Sequence, residues 1–386
     1  MMENSRELIA WVGVAQAAGE NTVFFLPHGA PEEQSARELF AERLMTAIVR
    51  FARENSRSGD ARETEGATQA ALLADLASDY RDHGLYSVRE KIRSRHDGKP
   101  DWARTVKSGT AFPAANGAPV YCEISSTRYS AFATNIVARI QAHVIAEVGR
   151  FHGWWLRPYF GARELPVSDR LNSWPRETWP RLLRMARRDL FQSRAINLVR
   201  MLLEYLEQAE QTGEGGVICG ISDFSTVWEA MLRDTIHGVE NHWNALLPAP
   251  WYFRRSGAGE ETGRMRTDII ARVEGNLAIL DAKYYRAASV RSAPGLSDIT
   301  KQIFYQQAVE STGEAAGLEI INAFLFPAEE THRDVYQHIT VTLPDGSPVS
   351  GFPRVKCQYL SMHDVIAAYS RRGLLVEQDW LSGLSA

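Results

Sequence analysis

The chain has 386 residues, of which 45% are hydrophobic and 23% are charged, and its formal net charge is -4 at pH 7. These values are typical of a soluble globular protein and exclude fibrous, collagen-like and largely disordered classes. The sequence has no run of roughly 18 apolar residues, as a membrane helix needs, and no signal-peptide pattern at its start, so we expect a cytoplasmic protein without membrane contact. The length predicts at least two domains.

The three cysteines are Cys122, Cys219 and Cys357, which are far apart in the sequence. An odd number at such spacing indicates neither a disulfide framework nor a cluster of zinc ligands. We therefore expect all three to be small buried hydrophobic residues.

Residues 1–160 are predicted to form an α+β domain that binds DNA or a partner protein. Apolar alternation, helical periodicity and turn residues define its elements. In chain order we predict a strand at 23–26, helices at about 34–53 and 68–80, a strand at 118–124 and a helix at 131–151.

Between residues 81 and 107, basic side chains outnumber acidic ones, and Tyr86 and Trp102 lie among them. Lys99, Arg104 and Lys107 are therefore candidates for contacts with DNA phosphates. A solvated surface of mixed charge explains the pattern equally well, because charge runs are common on ordinary protein surfaces.

Residues 161–215 are predicted to be a helical connector. Prolines and tryptophans between 157 and 179 indicate a domain boundary, and apolar periodicity from 181 to 210 predicts one continuous helix.

Residues 216–386 are predicted to form an α/β domain in which helices flank a mixed sheet. Its expected elements are a helix at 225–237, strands at 251–254, 265–273 and 277–285, a helix at 297–311, strands at 318–326, 336–343 and 355–360, and a helix at 362–372.

The candidate active site lies on the second and third of these strands. If Glu274-Gly275 forms a two-residue hairpin loop, Val273 pairs with Asn276. Counting back along both strands then places Asp268 directly opposite Asp281. Opposed residues point to the same face with Cβ atoms roughly 4.5–5.5 Å apart, so both carboxylates can reach one cation.

Lys283 follows Asp281 by two residues, so its side chain points to the same face of the sheet. Adjacent carboxylates repel each other unless a cation or proton neutralises them. Mg²⁺ prefers oxygen ligands, and Asp268, Asp281 and the Ala282 carbonyl match that preference. The pattern predicts a metal site for phosphodiester hydrolysis, in which Lys283 holds the attacking water or neutralises phosphate charge.

A surface hairpin with a salt bridge from Lys283 to Asp268 is the alternative, because a D…DxK spacing also arises by chance. Two helices bear on the choice. Glu229 is a candidate for a further carboxylate near the metal, although an ordinary helix-surface glutamate fits the sequence as well. Gln302 is a candidate to orient water or to contact the DNA backbone.

A family resemblance rests on four motifs in this order. They are Trp228-Glu229, Arg266-x-Asp268, Asp281-Ala282-Lys283 and Lys301-Gln302…Tyr305. Between about residues 220 and 330 the chain resembles the PD-(D/E)XK nuclease superfamily, and within it LlaJI-type restriction endonucleases and the McrC nuclease subunit. The acid before the lysine is often Glu in the superfamily and is Asp281 here, which shortens its reach.

The resemblance implies that Asp268 and Asp281 are metal ligands, Lys283 is the catalytic lysine, Glu229 is an accessory acid and Gln302 orients the site. It implies dependence on Mg²⁺, for which Mn²⁺ can substitute. It also implies an McrB-like AAA+ GTPase as partner, because this chain has no G-x-x-x-x-G-K-[ST] loop of its own.

The sequence thus predicts a metal-dependent DNA endonuclease of a restriction or antiphage system, with a PD-(D/E)XK restriction-endonuclease-like fold in its C-terminal domain. Cutting both strands of a duplex needs two active sites, so a homodimer on DNA is expected. A catalytically inactive DNA-binding or scaffolding subunit and a DNA repair nuclease of the same fold are the alternatives.

Overall fold

A computed structural model gives the structure of the protein. It describes residues 11–16, 22–55, 65–87, 90–95, 99–130, 136–166, 174–212, 217–255, 257, 259–261, 263–328 and 335–375. The chain divides into two compact units, a larger one of residues 1–71 and 216–386 and a smaller one of residues 72–215. This division differs from the three consecutive segments expected from the sequence, because the first part of the chain groups with the last.

In chain order, the first part forms β1 (Val12–Gln16), β2 (Val23–Phe25), α1 (Gln34–Asn55) and α2 (Glu65–His83). The middle part forms β3 (Glu90–Arg95), β4 (Lys99–Pro100), α3 (Trp102–Ser108), β5 (Ala111–Pro113), β6 (Pro119–Tyr121), β7 (Ser125–Ser130), α4 (Ile136–Phe160), α5 (Trp179–Arg187) and α6 (Ser193–Thr212). The last part forms β8 (Val217–Ile221), α7 (Phe224–Thr235), α8 (Trp243–Leu246), β9 (Trp251–Phe253), β10 (Gly259–Glu261), β11 (Ile269–Val273), β12 (Asn276–Ala282), α9 (Leu296–Ser311), β13 (Ile320–Ala328), β14 (His338–Ile339), β15 (Val355–Ser361) and α10 (Met362–Ser370).

A mixed sheet forms the centre of the larger unit, and its strands in the described residues have the order β11-β12-β13-β15-β14. β11 and β12 are antiparallel, β12, β13 and β15 run parallel, and β14 is antiparallel to β15. Helix α9 connects β12 to β13, as a parallel connection requires. The predicted α/β architecture, a mixed sheet flanked by helices, is confirmed.

Both faces of the β11–β12 hairpin are buried. On one face, Ile270 and Ile279 pack in a cluster with Tyr305 and Val309 of α9. The residues that alternate with them are also almost fully buried, namely Ile269, Ala271, Val273, Ala278 and Leu280. This second set is the apolar surface that alternation in the sequence predicts.

The N-terminal segment belongs to the larger unit for two reasons. β1 pairs antiparallel with β8 along its whole length, from Val12 opposite Ile221 to Gln16 opposite Val217. Helix α1 packs against α7 and α10. Neither β1 nor β8 is evident from the sequence, because each is short and finds its partner far along the chain.

Arg50 of α1 holds three helices of the larger unit together. Its guanidinium carbon lies 3.9 Å from the centre of the Tyr369 ring on α10, and its Nη1 donates to the Tyr369 carbonyl at 2.7 Å. It also forms ion pairs with Glu54 and with Asp234 of α7. The Arg50 side chain is largely buried, so its guanidinium depends on these protein contacts in place of hydrogen bonds to water.

The smaller unit differs from the sequence prediction in its helices. The helix expected at 181–210 is two helices, because the chain turns at residues 188–190 and α6 packs back against α5. The helix expected at 131–151 extends through Pro158 to Phe160, so the predicted boundary begins inside α4. Residues 131–135 lie outside the described residues.

The basic stretch of the smaller unit agrees only in part with its prediction. Lys99, Arg104, Lys107 and Trp102 are exposed, but Tyr86 is buried and does not contribute to that surface.

Of the cysteines, Cys219 and Cys357 are buried as predicted, whereas Cys122 is exposed, because it follows the exposed hairpin of β5 and β6. Across the described ranges, no helix has the length and apolarity needed to cross a membrane.

Replacement of Arg50 by Met is expected to lower the free energy of unfolding by about 1–3 kcal/mol, because it leaves Asp234 and the Tyr369 carbonyl without their cationic partner. Denaturant unfolding measures this change. Arg254→Met removes an exposed ion pair with Glu260 in the same unit and is the matched control, with an expected change below about 0.5 kcal/mol. Equal stability of the two variants would contradict the role of Arg50.

Candidate active site

The two candidate carboxylates lie side by side at one end of the β11–β12 hairpin. The loop is Glu274-Gly275, whose φ angles of 48° and 87° are those of a two-residue turn that favours glycine. Pairing runs from Val273 opposite Asn276 to Ile269 opposite Leu280. The next pair in this register is Asp268 and Asp281, as predicted.

Asp268 is fixed by the backbone of the neighbouring strand. Its Oδ2 accepts a hydrogen bond from the Ala282 N–H at 2.9 Å, and its carbonyl accepts one from Arg233 Nε at 3.3 Å. The preceding residue, Thr267, is buried, and its backbone N–H and C=O both bond to the Asn244 side chain, at 2.9 and 3.1 Å. Asn244 therefore sets where β11 begins, and nothing in the local sequence indicates this role.

Lys283 lies between two carboxylates. Its Nζ is 2.7 Å from Asp281 Oδ2, with which it forms an ion pair, and 2.7 Å from Asp298 Oδ1, to which it donates. Among the described residues the ion pairs of Lys283 are with Asp281 and Asp298, and not with Asp268 as in the alternative expected from the sequence. Asp298 is a site residue that the sequence reasoning missed, although its position in the first turn of α9 signals a capping role.

Burial and mutual repulsion control the charges of this group. Burial and the neighbouring Asp268 raise the pKa of Asp281 to about 6, and only 4% of this residue is exposed. Burial and Glu229 raise the pKa of Asp268. Contact with Asp281 and Asp298 outweighs burial and raises the pKa of Lys283, so this side chain is charged at neutral pH.

Helices α7 and α9 contribute the other predicted residues. Glu229 forms an ion pair with Arg233 one turn later, and its charge acts on Asp268. Gln302 is fully buried, and neither Oε1 nor Nε2 has a hydrogen-bond partner in the described part of the chain. Such a side chain is costly to bury and is retained where it has a task.

Asp268 and Asp281 are the two carboxylates that this site offers as ligands for a metal ion. Within the described ranges, no three His, Cys, Asp or Glu side chains come together in a geometry that would hold a metal ion. Neither Asp268 Oδ1 nor Asp281 Oδ1 has a hydrogen-bond partner there, so each carboxylate retains an oxygen for another ligand. Two carboxylates completed by water and substrate oxygens fit Mg²⁺, which keeps several waters when it binds to proteins.

Comparison with known proteins places the chain in a family. Residues 11–352 match the family model described as LlaJI restriction endonuclease. The chain is also 25% identical over 376 residues to a Bacillus subtilis (strain 168) protein named as the YdjA component of the type II restriction enzyme BsuMI. That similarity covers 85% of this chain and 74% of the relative. Because the family model spans most of its length, the chain belongs to the LlaJI restriction endonuclease family.

Proposed function

We propose that the chain is a Mg²⁺-dependent DNA endonuclease of PD-(D/E)XK type that hydrolyses phosphodiester bonds in a restriction and antiphage system. The observation that carries the proposal is the convergence of Asp268, Asp281 and Lys283 at the end of one buried hairpin. Family membership supports a role in restriction rather than in DNA repair. The order of antiparallel and parallel strands around β12 supports the superfamily assignment.

Asp268, Asp281 and the Ala282 carbonyl would hold the metal ion, and Mn²⁺ would substitute for Mg²⁺. When bound, the cation supplies a Lewis acid that stabilises negative charge on the phosphate. It would also offset the burial and the acidic neighbours that raise the pKa of both carboxylates. Binding of the metal ion is thus favoured because it relieves an electrostatic destabilisation present in the metal-free protein.

Lys283 would direct a permanent positive charge at the scissile phosphate or the attacking water. Its two ion pairs, to Asp281 and Asp298, fix the ammonium group in place before substrate arrives. Gln302, the buried amide of α9, would complete its hydrogen bonds with water or substrate at the site and so orient them. Glu229 would act as an accessory acid through its charge.

Cleavage of both strands would need two copies of the site on DNA, and we propose partner subunits for this purpose. The relative in Bacillus subtilis is itself named as a component of a restriction enzyme. An AAA+ GTPase resembling McrB is the proposed partner, since this chain has no phosphate-binding loop. A homodimer on DNA would present the two sites.

Asp281→Asn is expected to reduce DNA cleavage at least 100-fold with either Mg²⁺ or Mn²⁺, because it removes a charged metal ligand. Plasmid cleavage measures this loss, and electrophoretic mobility shift measures DNA binding, which should be nearly unchanged. Asp345→Asn replaces an exposed aspartate of the same unit and is the matched control. Undiminished cleavage by Asp281→Asn would refute the site, and a catalytically inactive scaffold would show no cleavage by the native chain even with the partner and its nucleotide present.

The metal-free protein is expected to lose stability as the pH rises. The unfolded chain releases the Asp281 proton near pH 3.8, whereas the folded protein holds it to about pH 6, so stability falls between these two pH values and the loss is complete above pH 6. At pH 8 in EDTA, Asp281→Asn should be more stable than the native chain by about 1–3 kcal/mol, and the difference should shrink towards pH 4. Thermal melts measure this.

Mg²⁺ at pH 8 should raise the melting temperature of the native chain and leave that of Asp281→Asn nearly unchanged. Asp345→Asn should follow the native chain in every condition. A native chain that keeps its stability between pH 4 and pH 8 would contradict the proposed repulsion between the two carboxylates.

The isolated chain is expected to cut double-stranded DNA poorly with Mg²⁺ alone and to gain activity when an NTP-hydrolysing partner and its nucleotide are added. The reason is that one chain supplies one site and no motor. Plasmid linearisation with and without the partner measures the gain. Efficient, site-specific double-strand cleavage by the isolated chain without nucleotide would refute this dependence and leave the nuclease assignment in place.

A further inference from the structure

The β9–β10 hairpin of the larger unit exposes three consecutive large aromatic side chains. Trp251, Tyr252 and Phe253 are 56%, 61% and 77% exposed. Aromatic side chains normally supply much of a protein core, and a group of them at the surface marks an interaction site. The three exposed aromatic side chains of β9 therefore indicate a binding surface.

The hairpin arranges two of these rings as one surface. Phe253 pairs with Gly259, and Trp251 pairs with Glu261. A Cβ atom added to Gly259 would meet both the Phe253 ring and the Trp251 ring at 3.2 Å, so these rings flank the same point of β10. The glycine leaves room for them, and Tyr252 points to the opposite face.

Positive charge surrounds the aromatic surface. Between residues 251 and 266 there are four arginines, Arg254, Arg255, Arg264 and Arg266, and two acidic residues, Glu260 and Glu261. Arg254 pairs with Glu260 across the hairpin. Arg255 and Arg266 are exposed. The hairpin and the segment that follows it thus combine aromatic faces with a local excess of positive charge.

The base of the hairpin is tied to the segment that carries Asp268. The Met265 N–H donates to the Pro248 carbonyl at 3.1 Å, and Arg264 Nη1 donates to the Ala245 carbonyl at 2.7 Å. The Met265 side chain packs on the core cluster of the central sheet. Seven residues separate Glu261 from Asp268, a span of at most roughly 25 Å.

We propose that the β9–β10 hairpin binds unstacked bases of the DNA strand next to the cleavage site, with Trp251 and Phe253 as the stacking surface. This inference rests on the proposed function, because it takes DNA as the substrate. Aromatic rings stack on bases of any sequence, and nearby arginines neutralise phosphates, which is the combination found in proteins that bind single strands. The reach of about 25 Å keeps the hairpin within one turn of duplex, roughly 34 Å, from the carboxylates.

A protein partner is the competing occupant, since tryptophan, tyrosine and arginine also dominate protein interfaces. DNA is favoured because arginines outnumber acids between residues 251 and 266, which include the segment after the hairpin, and because this segment leads directly to Asp268. Trp251 and Phe253 lie on a separate two-stranded hairpin, so we expect substitutions there to leave the central five-stranded sheet intact.

The test uses the full chain with Asp281→Asn as background, so that binding is measured without cleavage. Fluorescence anisotropy gives the affinity for a fully paired duplex and for the same duplex with a central stretch of unpaired bases. The double substitution Trp251→Ala with Phe253→Ala is expected to weaken binding to the unpaired DNA at least tenfold and to the paired DNA less than threefold. A 2-aminopurine base in the unpaired stretch should lose its quenching by the protein.

Two controls accompany this variant. Trp251→Phe with Phe253→Tyr keeps both rings and should bind unpaired DNA within threefold of the background chain. Phe191→Ala removes a 91% exposed aromatic of the smaller unit and should have no effect on either DNA. Thermal melts of all variants should agree with that of the background chain.

Unchanged affinity of the double alanine variant for unpaired DNA would overturn the proposal, and so would an equal loss on both DNAs. If the double alanine variant lost binding to a partner protein and kept its affinity for DNA, the hairpin would be a protein interface. That result would also overturn the proposal. Failure of the proposed function would give a different experimental result. A native chain that binds DNA but does not cut it even with the partner and its nucleotide present would refute the nuclease assignment, while the comparison of paired and unpaired DNA remains valid.

Discussion

The register of the β11–β12 hairpin is the constraint on which the candidate site depends. Side chains alternate between the two faces of a strand, so a slip of one residue would turn Asp281 away from Asp268 and place Leu280 on the face of the site. The turn at Glu274-Gly275 prevents this slip because a two-residue loop admits one pairing. Burial on both faces then makes the register costly to change, since a slip would place the Asp281 carboxylate among the apolar side chains of the opposite face.

A buried site of this kind has to balance its own charges. Lys283 neutralises part of the negative charge of Asp281 and Asp298, yet the pKa of Asp281 still rises to about 6. Among the described residues, the Asp268 carboxylate has the Ala282 N–H as its hydrogen-bond partner. The arrangement is therefore electrostatically incomplete without a further cation, and this incompleteness is the physical basis of the proposed metal binding.

The sequence predicts what is local and periodic. The hairpin, the opposition of Asp268 and Asp281, and helix α9 all follow from alternation, a glycine turn and helical spacing. Contacts between distant segments do not follow from such patterns. The pairing of β1 with β8 and the support of Thr267 by Asn244 each join residues that no periodicity relates. The ion pair from Lys283 to Asp298 spans a shorter distance, but it depends on the path of the chain between β12 and α9.

The pairing of β1 with β8 also determines the order in which the protein is completed during synthesis. Gln16 lies opposite Val217, 201 positions later, and the smaller unit is encoded between them. At about 5–20 residues per second, a ribosome needs roughly 10–40 s to make this intervening stretch. The smaller unit can therefore fold while β1 still waits for its partner strand. The central sheet follows only when β15 has emerged, so the carboxylate site is among the last parts of the nascent chain to form.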